Sequence, residues 1–85
     1  MRSFKFTIND KNGLHARPAG MISSTSKGFL SKITIKNGAK EADGKRLLSV
    51  MALGAKCGST LEFIIDGDDE ENAENALKAI LEERL

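Results

Sequence analysis

Apolar residues recur at every second position in three separate stretches of this chain: Phe4, Phe6 and Ile8; Ile33 and Ile35; Leu61, Phe63 and Ile65. A period of two sends alternate side chains to opposite faces, so each stretch predicts a strand with one buried and one solvated side. After the second stretch, Asn37-Gly38 supplies hairpin chemistry and turns the chain into a short strand at Lys40-Glu41-Ala42. Strands of this kind build a sheet that is open on one face and needs an apolar cover on the other.

The cover is written between the strands and after the last of them. Pro18 is tolerated in a first helical turn, and a helix is predicted from Ala16 to Lys27 with Gly28 as its stop, after which Phe29 and Leu30 are expected to return to the core. That helix has poor intrinsic support: Gly20 lies inside it, and Ser23, Ser24, Thr25 and Ser26 leave only Ala19 and Ile22 as clear apolar contacts. A second, short helix carries Leu47, Leu48, Val50, Met51 and Leu53, apolar on more than one side, so part of its surface is left for a partner. The strongest helix holds Ala73, Ala76, Leu77, Ile80 and Leu81 at helical spacing, with Asp69, Glu70 and Glu71 at the favourable end of its dipole. The expected order is β-α-β-β-α-β-α: an α+β open-faced β-sandwich, with a four-stranded antiparallel sheet and three helices on one face.

Eighty-five residues, 1–85, are expected to form one domain. Thirteen basic against twelve acidic residues leave almost no net field, which disfavours nucleic-acid or membrane-surface partners. The single cysteine, Cys57, cannot form an internal disulfide, and no apolar run is long enough for a leader or a membrane span, so a cytoplasmic location is expected. Cys57 reads as an ordinary loop residue. No nucleotide-binding glycine motif occurs, a second histidine is missing, and the acidic run Asp66 to Glu71 lacks calcium-loop spacing; no cofactor and no metal are expected.

The chemistry then falls on His15, in the run Asn12-Gly13-Leu14-His15-Ala16-Arg17-Pro18-Ala19 just ahead of the first helix. A helix start offers unpaired N–H groups and the positive end of the dipole, a neutral imidazole is a nucleophile, and Arg17 can supply a guanidinium fork to a phosphate. A phosphoryl-accepting histidine fits these residues. A capping or surface histidine fits the same position, and the local motif leaves both readings open.

The run Gly13 to Ala19 resembles the active-site signature of the HPr family, the histidine-containing phosphocarriers of the bacterial phosphoenolpyruvate-dependent sugar phosphotransferase system, and Lys45 to Gly54 follows the pattern around that family's second helix. The likeness covers essentially the whole chain. It implies that His15 accepts a phosphoryl group at Nδ1 from Enzyme I and hands it to EIIA components of sugar permeases, as a monomeric carrier rather than a stand-alone catalyst. It also implies that Arg17 holds the phosphoryl oxygens, that Pro18 fixes the first turn, and that Ala16, Pro18, Gly20, Arg46, Leu47, Leu48 and Met51 meet the partners. Val50 and Leu53 are then the core side of the second helix, with Leu47, Leu48 and Met51 at least partly exposed. Two departures stand out. Many Gram-positive members carry a regulatory serine where Arg46 follows Lys45 here, so that modification cannot occur, and Ser49 reads as a neutral surface residue rather than a replacement. Gly20 and the serines also stand where the family's first helix is usually more apolar. Two other functions remain in view: an interaction module that binds regulatory proteins through Leu47, Leu48 and Met51 without relaying phosphate, and a carrier in a non-sugar, nitrogen-related branch.

Overall fold

A computed structural model describes all 85 residues. Its elements are β1 (Arg2–Thr7), α1 (Ala16–Lys27), β2 (Lys32–Asn37), β3 (Lys40–Asp43), α2 (Leu47–Met51), β4 (Thr60–Asp66) and α3 (Glu70–Arg84), the predicted order. The strands lie β1-β4-β2-β3 in one sheet, every neighbouring pair antiparallel.

Register explains the alternation seen in the sequence. Phe4 lies opposite Phe63, Phe63 opposite Ile35, and Ile35 opposite Ala42, so one apolar row crosses all four strands on the covered face. One residue along, Lys5, Glu62, Lys36 and Glu41 form the matching row on the open face, with opposite charges at each rung. A slip of one residue would bury that charged row and expose the apolar one, so both faces specify the same pairing. Ala19 and Ile22 of α1, Val50 of α2, and Ala73, Leu77 and Leu81 of α3 join the sheet residues in one buried cluster. The rings of Phe4 and Phe63 stack with centroids 4.9 Å apart, and the Lys78 ammonium lies 5.1 Å from the Phe4 ring. Phe4 and Phe6 are only half-buried because β1 is an edge strand.

Several local expectations change. Ile8 lies beyond the end of β1, although it is buried and its N–H still donates to Ser59 O. Asn37 forms the last β2–β3 rung with Lys40, which leaves Gly38 and Ala39 as the turn; Gly38, with φ 61°, supplies the positive φ that a two-residue hairpin needs. Asn37 is then free to donate from Nδ2 to Leu53 O, tying the hairpin to the end of α2. Gly28 does follow α1, but with an ordinary right-handed φ of −77°. Leu30 does not return to the core: it is exposed, because its N–H and that of Ser31 both donate to the Asp69 carboxylate, and it is Ser31 that is drawn inside.

The serines of α1 have a packing role. Ser23 is buried and donates from Oγ to Lys45 O, and Ser26 is buried where a Cβ on Gly44 would come within 3.3 Å of its hydroxyl. Small side chains let α1 sit close to the segment that leads into α2.

Candidate functional site

The loop between β1 and α1 is held from several sides. Asn9 and Asp10 both donate their N–H groups to Leu85 O, at 2.8 and 3.1 Å. Asp10 Oδ1 accepts the Asn12 N–H at 2.8 Å, an Asx turn, and Asp10 O accepts the Gly13 N–H at 2.9 Å. Gly13 has φ 67°, and a Cβ there would lie 2.7 Å from Ala55 O, so only glycine fits both the turn and the close approach. Next along, Leu14 is buried and donates its N–H to the same Ala55 O.

This anchored loop delivers His15 as the N-cap residue of α1, in extended conformation with its carbonyl accepting the Ala19 N–H. The imidazole makes no cap hydrogen bond. It therefore leaves the first N–H groups unclaimed, and neither Ala16 N–H nor Arg17 N–H has an acceptor in the fold. Arg17 is exposed and enters none of the ion pairs. An imidazole, two free amides, the positive end of a three-turn helix and an unpaired guanidinium thus share one helix start, an arrangement suited to an anion held on or beside the ring.

The second group of predicted residues lies on α2, packed beside α1. Leu48 is 80% exposed, Leu47 39% and Met51 38%, whereas Val50 and Leu53 are buried, as the division of this helix predicts. Arg46, the N-cap residue of α2, is exposed, and with Lys27, Lys45, Leu47, Leu48 and Ser49 it lines a shallow depression. Ala16 is exposed beside His15. Pro18 is different: it is buried, so it shapes the first turn and offers no docking surface of its own. Gly20 is half-buried and has open space in front of it.

Asp10 is a residue that the sequence reading missed. Its Oδ2 lies 3.8 Å from His15 Nε2. The Asx turn engages Oδ1 and leaves Oδ2 free toward the ring, and the one signal of it in the sequence is the turn pattern Asp10-Lys11-Asn12-Gly13. Cys57 is exposed, its Sγ 3.6 Å from Asn9 O. No group of side chains is arranged to hold a metal ion, and no helix is long and apolar enough to cross a membrane.

A small open-faced sandwich that presents its one histidine among anion-attracting groups, next to an exposed apolar helix, has well-defined counterparts. The family model for the PTS HPr component phosphorylation site matches residues 2–83. The multiphosphoryl transfer protein of Salmonella typhimurium is 46% identical over 81 residues, which cover 92% of this chain and 21% of that protein, so the chain spans about a fifth of this relative's length. The phosphocarrier protein HPr of Lysinibacillus sphaericus is 37% identical over 83 residues, covering 98% of this chain and 94% of that one. Among solved structures, a histidine-containing phosphocarrier protein of Mycoplasma superposes with a TM-score of 0.94 at 35% identity, covering 96% of this chain and 93% of that one. The chain belongs to the HPr family, the phosphocarriers of the phosphotransferase system.

Proposed function

We infer that this protein relays a phosphoryl group between proteins on His15, taking it from the phosphohistidine of Enzyme I and passing it to EIIA components of sugar permeases in the bacterial cytoplasm, as a monomer. The observation that carries the reading is the helix start itself: a ring with no capping role, beside two unclaimed N–H groups and an unpaired Arg17. In the relay, the Nδ1 lone pair forms the new P–N bond as the donor's P–N bond breaks. The Ala16 and Arg17 N–H groups and the Arg17 guanidinium then take up charge on the phosphoryl oxygens. A charge at a helix terminus is worth roughly 0.3–1 kcal/mol, enough to favour the phosphorylated form without trapping it. Leu47, Leu48 and Met51 form the apolar centre of the docking surface, and Arg46, Lys27 and Lys45 give it a basic rim that selects acidic partner surfaces.

Incubation with Enzyme I, phosphoenolpyruvate and magnesium is expected to yield an acid-labile phosphate that His15→Ala abolishes; no such phosphate on the unaltered protein would sink the relay. Arg17→Ala is expected to slow transfer about tenfold with an unchanged melting temperature, the size of one lost charge-assisted contact. Exposure of Leu48 also favours a second reading, a binding module that engages regulators without relaying phosphate. Binding to a partner that is equally tight with and without phosphate on His15 would favour that module, whereas onward transfer to an EIIA domain excludes it.

A further inference from the structure

We propose that Asp10 is a positioning residue for His15: its carboxylate holds the imidazole with the proton on Nε2 and so leaves the Nδ1 lone pair free as the nucleophile. This inference rests on the relay reading and names a residue that reading does not use.

Asp10 is itself closely held. Its N–H donates to Leu85 O, its carbonyl accepts from Gly13, and its Oδ1 accepts from Asn12. The remaining oxygen, Oδ2, has no partner in the fold other than the ring, 3.8 Å away at Nε2. Both side chains are partly shielded, with 27% of the Asp10 side chain and 42% of the His15 side chain exposed. An ionised carboxylate only accepts hydrogen bonds, so at Nε2 it favours N–H over a lone pair, by a small ring rotation or through one water. The other ring nitrogen must then carry the lone pair.

The same contact serves the transfer step. As Nδ1 bonds to phosphorus, the donor's P–N electron pair returns to the donor ring, and the His15 ring keeps its Nε2 proton and becomes cationic. The Asp10 carboxylate faces that new positive charge, while Arg17 and the helix amides face the phosphoryl oxygens. Opposite charges are therefore met at opposite ends of the phosphorylated ring.

Asp10→Asn separates this role from the turn. The amide oxygen of the substituted side chain can still accept the Asn12 N–H, which places an NH2 donor where Oδ2 stood, and a donor favours a lone pair on Nε2. The test is the tautomer ratio, read by long-range 1H–15N NMR at a pH where the ring is neutral, together with the initial rate of phosphorylation by Enzyme I. The unaltered protein is expected to be almost wholly protonated at Nε2. Asp10→Asn is expected to move the ratio toward Nδ1–H and to slow phosphorylation about two- to fivefold, the range of a partly exposed ion pair. Asp10→Ala, which also loses the turn, is expected to be at least as slow. An unchanged tautomer ratio in Asp10→Asn overturns the proposal, as does a normal rate in Asp10→Asn beside a slow Asp10→Ala, which would assign Asp10 to the turn alone. If the unaltered protein takes no phosphate, the relay reading fails, and the tautomer ratio still decides the positioning of the ring.

Discussion

One added methyl group at Gly13 would meet two obstacles at once: a backbone φ of 67° and a carbonyl oxygen 2.7 Å away. Gly13→Ala is therefore expected to destabilise the fold by about 2–6 kcal/mol, the sum of an ordinary left-handed backbone penalty and an overpacking term. Denaturant unfolding should show a lower midpoint with an unchanged slope. A loss below about half a kilocalorie would mean that the loop moves off Ala55 at little cost. Glycine at this position was visible in the sequence as turn chemistry, but its close approach to Ala55 was not, because the two residues are far apart in the chain. The Asp10–His15 contact was hidden for a related reason. Residue types and spacing identified the imidazole and the guanidinium; the carboxylate facing the ring depends on which oxygen the Asx turn leaves free.

Element by element, period-two alternation was a sufficient guide to β2 and β4, and α1 and α2 fall between strands, with α3 after the last of them, in the predicted order. It was less informative about α1 itself. Helix propensity makes Ser23 and Ser26 look like weak points on a solvated face, whereas both are buried at the contact with the segment preceding α2. The expectation of an apolar return at Leu30 failed because it weighed hydrophobicity alone; the backbone hydrogen bonds to Asp69 decide which side chain turns in. The weakness of Gly20 in α1 is left uncompensated by the structure, since a Cβ there meets nothing within 4 Å and its φ is not positive. Gly20→Ala is accordingly expected to stabilise the protein by about 0.5–1 kcal/mol, through lost backbone freedom in the unfolded chain and better helix propensity. A higher unfolding midpoint would check this. The same variant with normal phosphoryl transfer would remove Gly20 from the docking residues, and slowed transfer with raised stability would keep it there.

Charge at the scale of the whole molecule is almost balanced, yet the carboxylates with depressed pKa values gather at one place, the N-cap and first half of α3. Asp69 is lowered by the Ser31 hydroxyl and the Leu30 and Ser31 N–H groups, Glu70 first by the Gly67 N–H, and Glu74 by hydrogen bonds from Arg2 and then Lys78. These contacts fasten α3 to the α1–β2 connection, to its own approach turn and to the edge strand β1. A carboxylate with a lower pKa in the folded state binds fewer protons there than in the unfolded chain. Its contribution to stability is present above the unfolded value, roughly 4, and is lost as pH falls through the folded value. The melting temperature is thus expected to be level from about pH 7 to pH 5 and to fall steeply below about pH 4. Protonation of twelve acidic residues also leaves the basic ones unopposed, which lowers stability without any specific contact. Asp69→Asn separates the two effects, because it removes the charge that the Leu30–Ser31 segment solvates and leaves the general repulsion in place. The variant should melt below the unaltered protein at about pH 7, with the two curves converging as Asp69 itself becomes protonated. A gap that stays constant down to about pH 2 would mean that Asp69 acts through shape and neutral hydrogen bonding, and would move the origin of acid unfolding to Glu70 and Glu74.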